Sequence, residues 1–307
     1  MKILVTGACG FLARVLTRQL EASPHRHELV LLDRTTPAEA TTFVPGQLER
    51  ARAPFAVNWP FHEGEITDTD FMGRTAAGVD AVIHLAASVS GLPEIGYDTF
   101  HVNACGTFAV LDEARKAGVQ RFLCASSINA FGTFYWRLSV RKVEYPQLPL
   151  TEDYPSVPED PYSLSKLVNE ETCAAFHRAY GITTAAFRFA GLWSHTMYDA
   201  AIANGLPPAT EWAPDLFSWV HVEDIAAGLV RALECETLPG HGVYTLGAGD
   251  TRAAEPTMEL LERFQPQLTS TLSSALPGRT PLLAIDKARA AFGYRPEYRL
   301  LPDPASS

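Results

Sequence analysis

Lys2-Ile-Leu-Val-Thr6 is an apolar run that ends in Gly7-Ala-Cys-Gly10, and an apolar-periodic stretch follows from Phe11 to about Leu20. A short apolar run suits a strand buried on both faces, and recurrence at three and four residues suits a helix lying on a sheet. Strand, glycine turn and helix in this order form the place where a dinucleotide pyrophosphate rests on a helix N-terminus. Gly7 permits the tight turn, Gly10 permits close backbone approach, and Ala13 is small enough for close helix–strand packing. A second apolar run, Glu28-Leu-Val-Leu-Leu32, ends in Asp33. A carboxylate there accepts hydrogen bonds from the adenosine ribose and repels a 2′-phosphate, which favours NAD over NADP. The neighbouring Arg34 is the group that would instead receive a 2′-phosphate.

Strands are expected at 2–6, 28–33, 80–85, 121–125, 183–188 and 243–246, with helices at 11–22, 99–117, 161–180, 223–234, 255–264 and 286–292. Such alternation predicts an α/β fold, a doubly wound parallel sheet of the Rossmann type, and the 307 residues leave room for a small C-terminal substrate lobe. The expected division assigns 1–187 plus 217–250 to NAD binding, and 188–216 plus 251–307 to the lobe. Residues 35–60, rich in Pro and Thr, read as loop with at most one short helix. A net charge of −10 argues against nucleic-acid and anionic-membrane partners. No apolar run is long enough to span a bilayer, and the chain enters its first strand at residue 2. Cys9, Cys105, Cys124, Cys173 and Cys235 are scattered and lack metal-ligand spacing, so reduced thiols, no metal site and a cytoplasmic location are expected. Cys9, in the glycine turn, is a candidate for oxidation.

Tyr162-Ser-Leu-Ser-Lys166 carries the chemistry. Four residues make about one helical turn, so phenol and ammonium project from one face. A nearby cation favours phenolate and lowers the Tyr pKa, which suits proton exchange with a substrate hydroxyl. Gly64-Glu-Ile-Thr-Asp68 brings Glu65 and Ile66 beside an adenine. Ala81-Val-Ile-His-Leu-Ala-Ala87 ends in small residues that let backbone approach a cofactor, and its His84 reads as a core histidine. Phe122-Leu-Cys-Ala-Ser-Ser127 ends in two hydroxyls at a strand end, where open parallel sheets bind ligands.

With Thr6-Gly-Ala-Cys-Gly-Phe-Leu-Ala13, Asp33, Gly64–Asp68, His84–Ala87, Val102-Asn103, Ser126-Ser127, Tyr162–Lys166, Arg188-Phe-Ala-Gly191 and Trp219-Val-His-Val-Glu-Asp224, the chain resembles the extended short-chain dehydrogenase/reductase superfamily. The resemblance runs from Met1 to about Pro296. It implies that Tyr162 is the general acid/base, that Lys166 tunes it and holds the nicotinamide ribose, and that Ser127 polarises the substrate oxygen. Asn103 would organise the site, and Phe189 would lie beside the nicotinamide through its backbone. Gly7, Gly10, Phe11 and Leu12 would meet the pyrophosphate, Asp33, Arg34, Glu65 and Ile66 the adenosine, and Leu85, Ala86 and Ala87 the cofactor's middle. Ser88, Ser127, Asn129, Trp193 and Trp219 would face the substrate. Members of the superfamily pair the helices here at 99–117 and 161–180 into a two-fold four-helix bundle, so a homodimer is expected, with Phe108, Leu164 and Phe176 on its face.

Departures from the superfamily narrow the reaction. Dehydratases place an Asp–Glu pair where this chain has Ile128 and Asn129, so dehydration is disfavoured. Nucleotide-sugar epimerases place a diphosphate-facing Arg at the position of Phe217, and only about thirty residues separate Arg188 from Trp219. Arg279 remains a candidate for reaching a phosphate. The lobe resembles that of uronate dehydrogenases, but Ala213-Pro-Asp-Leu-Phe-Ser218 lacks their carboxylate-binding Arg. A small neutral sugar, polyol or ketone is the expected substrate, under a loop from Trp136 to Tyr154 that is placed to cap the pocket. His195 is a further candidate proton donor, and His221 reads as structural. The alternatives are a nucleotide-sugar 4-epimerase, which reduces its NAD transiently, and a non-catalytic NAD-binding protein.

Overall fold

The computed structural model describes residues 1–43 and 50–301. Its main sheet holds β1 (Lys2–Thr6), β2 (Glu28–Asp33), β5 (Phe61–Glu63), β6 (Ala81–His84), β7 (Arg121–Ser127), β8 (Thr183–Phe189) and β11 (His241–Leu246). The spatial order is β11-β8-β7-β6-β1-β2-β5 and every pairing is parallel. Two smaller pairs flank it: β3 (Thr41–Phe43) with β4 (Arg50–Arg52), antiparallel, and β9 (Leu192–Trp193) with β10 (Val220–His221), parallel. The helices are α1 (Phe11–Ala22), α2 (Thr69–Thr75), α3 (Gly96–Phe100), α4 (Gly106–Lys116), α5 (Pro161–Tyr180), α6 (His195–Asn204), α7 (Val222–Glu234), α8 (Thr257–Phe264) and α9 (Asp286–Phe292).

The pleat explains why the strands read as unbroken apolar runs. Ile3 and Val5 join Leu29, Leu31 and Ile83 in one core, with Leu16 of α1 and Leu229 of α7. Leu4 points the other way, with Val30, Leu32 and Val82, into a second core with Val110 and Leu111 of α4 and Cys173 of α5. A strand covered on both faces must be apolar at every position, because alternate residues serve opposite cores. Each fully buried aliphatic side chain contributes about 1.5–3 kcal/mol of transfer free energy.

Strand order reverses between β1 and β6. The chain steps outward from β1 to β2 and β5, then crosses back to β6 on the other side. Open α/β sheets bind ligands in the crevice at the carboxyl ends of strands at such a switch point. Thr6 and His84 end the two strands here, and they lie side by side in the register.

The expected doubly wound parallel sheet is present, with local corrections. The helix expected at 99–117 starts at Gly96 and is interrupted by a π turn at His101–Cys105 between α3 and α4. The described part of 35–60 carries β3 and β4 in place of a helix. Elements β5, α2 and α6 were not anticipated. No helix among the described residues is long and apolar enough to cross a membrane.

Candidate active site

The glycine turn is built for close approach. Gly7 has φ +71°, and a Cβ there would lie 2.7 Å from the Ala86 nitrogen. Helix α1 begins at Phe11 with no capping side chain from Gly10 and no acidic residue in its first turn. Its first amide groups therefore lack a side-chain partner and leave a positive helix end facing the crevice, which fits a pyrophosphate. Asp33 ends β2 beside this turn. Its Oδ2 accepts from the Cys9 amide at 2.9 Å and its Oδ1 from the Thr35 amide at 3.1 Å. Those bonds fix the carboxylate while leaving lone pairs for ribose hydroxyls. Arg34 and Glu65 are exposed beside it. Ile66 is buried, with its side chain against Gly106, so only its backbone is placed to meet an adenine. Cys9 is buried, and its thiol donates to the Thr35 carbonyl at 3.0 Å. Burial and then Asp33 push this thiol up to about 12, which corrects the expectation of an oxidation-prone group.

On the other side of the switch point, Leu85, Ala86 and Ala87 continue from β6 half-buried. The Leu85 amide donates to the Thr6 carbonyl at 3.2 Å, and the Ala86 amide to Thr6 Oγ1 at 3.3 Å. His84 is a core histidine: Nδ1 pairs with Thr6 Oγ1 at 2.8 Å and Nε2 with Thr107 Oγ1 at 3.0 Å. Burial, then the Lys166 charge, lowers its pKa to about 3, so the ring is neutral.

Helix α5 brings the phenol and ammonium to the end of β7. Asp160 caps it, accepting from the Ser163 amide at 2.9 Å, with Pro161 in the first turn. Tyr162 and Lys166 are both buried on its inner face. Lys166 Nζ donates to the Ala125 carbonyl at 2.9 Å and sits 5.6 Å from the Tyr162 ring centre. Ser127, at the end of β7, accepts from the Asn129 amide at 3.1 Å, and its hydroxyl lies close enough to the Tyr162 phenol to lower its pKa. With a lone pair occupied by Asn129, the hydroxyl proton is left to serve Tyr162 or a substrate oxygen. Phe189 ends β8 directly across from Ser127.

The phenol's ionisation differs from the sequence expectation. Burial raises the Tyr162 pKa to about 12, opposed by the Ser127 hydrogen bond. Burial also lowers the Lys166 pKa. Asp160 adds to the rise of the phenol, and Lys166, whose Nζ donates to the Ala125 carbonyl, is not among the groups that set it.

Asn103 lies fully buried in the π turn. Its Oδ1 accepts from the Ser88 amide at 2.7 Å, while its Nδ2 donates to the Ser88 carbonyl at 2.9 Å and Ser165 Oγ at 3.0 Å. It thereby ties the loop after β6 to α5, one residue before Lys166. A π turn widens the helix locally and is frequent at functional sites. The backbone of Ser88 is occupied by Asn103, and its hydroxyl faces Thr99 at 3.4 Å. Asn129 is buried with its Oδ1 lacking a partner among the described residues, an acceptor in want of a donor.

One substrate-facing expectation needs correction. Trp219 is buried on all sides, its Nε1 donating to the Asp250 carbonyl and Oδ1, both at 3.1 Å. Trp193 packs against it with ring centres 5.1 Å apart. Trp219 clusters with the buried Ala248 and Leu300, and the partly buried Trp193 and Tyr198 pack against that cluster. His195 pairs with Glu223 at 3.0 Å on an exposed surface, and His221 lies flat on Tyr298 while accepting from the Glu223 amide.

The sequence reading missed the anchor behind the site. Arg188 donates to Glu170 through Nε at 2.9 Å and Nη2 at 2.7 Å, and Ser126 Oγ donates to the same carboxylate at 2.5 Å. All three are buried. Glu170 stands one turn beyond Lys166, and that spacing was the available signal.

A switch-point crevice with a bare helix end and a Ser–Tyr–Lys cluster defines a dinucleotide-dependent enzyme of the extended short-chain dehydrogenase type. The chain belongs to the NAD dependent epimerase/dehydratase family, whose profile matches residues 3–247, and NAD is its cofactor. It is 23% identical to a UDP-glucose 4-epimerase of Corynebacterium glutamicum, over 97% of this chain and 92% of that one. It is 27% identical to a uronate dehydrogenase of Pseudomonas syringae, over 82% and 75% respectively. Among solved structures, it resembles a short-chain dehydrogenase/reductase superfamily protein of Agrobacterium tumefaciens with bound NAD, with a TM-score of 0.69 and 23% identity, over 98% and 94% of the two chains.

Proposed function

We propose that the protein transfers a hydride between NAD and a small, uncharged hydroxyl or carbonyl compound of sugar or polyol type. The observation that carries this is the convergence of Ser127, Tyr162 and Lys166 at the end of β7. Bound NAD supplies the hydride acceptor or donor. Tyr162 moves the proton at the substrate oxygen, and Ser127 orients that oxygen. Lys166 holds its charge beneath the ring, Asn103 fixes the loop and helix against each other, and the Asn129 Oδ1 accepts from a substrate hydroxyl. Exclusion of a charged substrate is supported by the pairing of nearby cations. Arg137 pairs with Glu159, Arg188 with Glu170, Arg252 with Asp215 and Arg279 with Asp250. Phe217, at the epimerases' arginine position, is buried beneath Arg252. A screen of aldoses, uronates, polyols and ketones for NADH absorbance tests the proposal; turnover of uronates alone would overturn it.

The second reading, a nucleotide-sugar 4-epimerase, is favoured by the relatives' names. Isomerisation of a UDP-sugar without net NADH would establish it over the first. Bound NAD without any turnover would instead support a non-catalytic role, against which the complete Ser–Tyr–Lys cluster weighs. Within either enzyme reading, the division into 1–187 plus 217–250 and 188–216 plus 251–307, and a cytoplasmic location, are part of the proposal.

Cofactor choice is assigned to Asp33. Asp33→Ala is expected to lower the NAD-over-NADP preference by about tenfold or more, since it removes a charge-assisted ribose contact and a like-charge repulsion. Isothermal titration with both cofactors checks this; an unchanged ratio would move the role to Arg34.

Assembly is assigned to α4 and α5. Phe108 and Leu164 are 53% and 42% exposed, and a groove of about 380 Å³ runs between the helices past Val168 and Ala175. Phe176, expected on this face, is only 5% exposed because Phe108 and Tyr180 cover it, so Phe108 is the position to alter. We expect a dimer by light scattering and a mass near 33.5 kDa for Phe108→Glu. A wild-type monomer would remove the dimer.

A further inference from the structure

Tyr162 is 6% exposed, although a proton-transferring phenol must meet its substrate. The group beside it is Trp136, whose indole stands edge-on to the phenol with ring centres 5.3 Å apart and planes at 75°. The indole also lies against the loop after β6. A Cβ added to Gly91 would fall 2.7 Å from Trp136 Cε3 and closer still to Cγ and Cδ2. Trp136 is thus held between the Gly91 backbone and Tyr162. Its own backbone has φ +58°, a left-handed conformation that a bulky residue adopts only where its surroundings impose it.

The loop carrying Trp136 is fastened at its base and loose beyond. Glu159, next to the cap of α5, pairs with Arg137 at 2.9 Å and accepts from the Leu138 and Ser139 amides at 2.9 and 2.7 Å. Arg137 Nη1 also donates to the Gly132 carbonyl at 2.9 Å. Past this clamp, Leu138 and Val140 are exposed. Further on, the chain passes a cavity of about 450 Å³ lined by Lys142, Tyr145, Tyr154, Leu268 and Thr271, and is seated again by the buried Tyr145 and Leu148, the Leu148 amide donating to the Thr271 carbonyl at 2.9 Å. The stretch between the clamp and Tyr145 has no buried side chain, so its local opening costs little.

We propose that Trp136 is the specificity-determining residue of this site: its indole occupies the volume over Tyr162 where the substrate ring must lie, and its displacement against the Arg137–Glu159 clamp admits monosaccharide-sized compounds and excludes nucleoside diphosphate sugars. The size limit rests on the reading of Tyr162 as the acid/base. The cover itself rests on geometry alone.

The two are tested separately on the full-length protein. Nitration of Tyr162 by tetranitromethane, quantified by peptide mass spectrometry, reads the cover without turnover. Closed states of this kind open in about 0.1–10% of molecules, so Trp136→Ala is expected to raise the nitration rate by about 10- to 1,000-fold. Gly91→Ala leaves the indole in the chain but places a methyl in its seat, so it should raise the rate in the same direction. The double variant should add nothing to Trp136→Ala. Equal rates in wild type and both single variants would overturn the cover. NADH oxidation with a graded series from glyceraldehyde through hexoses to UDP-4-ketoglucose then reads the size limit. Trp136→Ala should shift the profile toward the larger compounds, and an unchanged profile would overturn Trp136 as the specificity determinant. Absence of turnover by every variant on every compound would overturn the size limit together with the proposed reaction, while the nitration result still decides the cover.

Discussion

Tyr162→Phe is expected to lower turnover by about 10²- to 10⁴-fold with NAD binding retained, because the ring keeps its packing and only the proton-transferring oxygen is lost. Stopped-flow NADH kinetics and cofactor titration check the two halves. Activity near that of wild type would remove Tyr162 from the reaction. The pH dependence follows from the buried phenol, pushed up to about 12. Below that value the protonated phenol predominates, so carbonyl reduction, which consumes its proton, should be flat across neutral pH. Alcohol oxidation needs the phenolate, so its rate should rise about tenfold per pH unit until the phenol's pKa in the complex is reached. An oxidation rate that falls from pH 7 to 9 would contradict this assignment.

Glu170→Ala is expected to cost about 3–5 kcal/mol of stability, as breaking a buried ion pair strands the surviving charge. Glu170 holds Arg188 through two bonds and accepts from Ser126. Without it, Arg188 would keep Ser156 Oγ at 3.2 Å and the face of Phe131, with its guanidinium carbon 4.2 Å from the ring centre. Its Nη1 already lacks a partner among the described residues. Urea unfolding reads the change as a lower midpoint. A double replacement, Glu170→Leu with Arg188→Met, should recover much of the loss because no charge is left buried. A single variant within about 1 kcal/mol of wild type would show that water reaches the arginine.

The central strands were legible because burial on both faces leaves no polar position, as in Ile3-Leu4-Val5 and Ala81-Val82-Ile83. Helix α5 was legible from its ends, Asp160-Pro161 and Gly181, the last with φ +73°. Helix α6 was not, since none of its residues is buried and it therefore carries no apolar stripe to read. Helix α2 is short and contains Gly73, a weak helix former. In the site, Tyr162 and Lys166 were legible because one turn of helix fixes their relation. The contacts of Trp136 with Gly91, and of Glu170 with Arg188, join segments whose relation only the folded chain sets. Trp219 misled because an indole near a pocket and an indole inside a packed cluster look alike in sequence. Its hydrogen bonds to Asp250 distinguish them.

The seat of Gly7 against Ala86 has a consequence for how the protein is made. Strand β1 is synthesised before its partner β6, which follows nearly eighty residues later. Pairings this distant close slowly, since the intervening chain must surrender its loop entropy first. During that interval the first strand's free edge is open to wrong neighbours. A dinucleotide that binds only the closed crevice draws the population toward it by mass action, by about 2.7 kcal/mol at a hundredfold excess over its dissociation constant. Yield of soluble protein should therefore follow cellular NAD supply during expression, independently of any substrate.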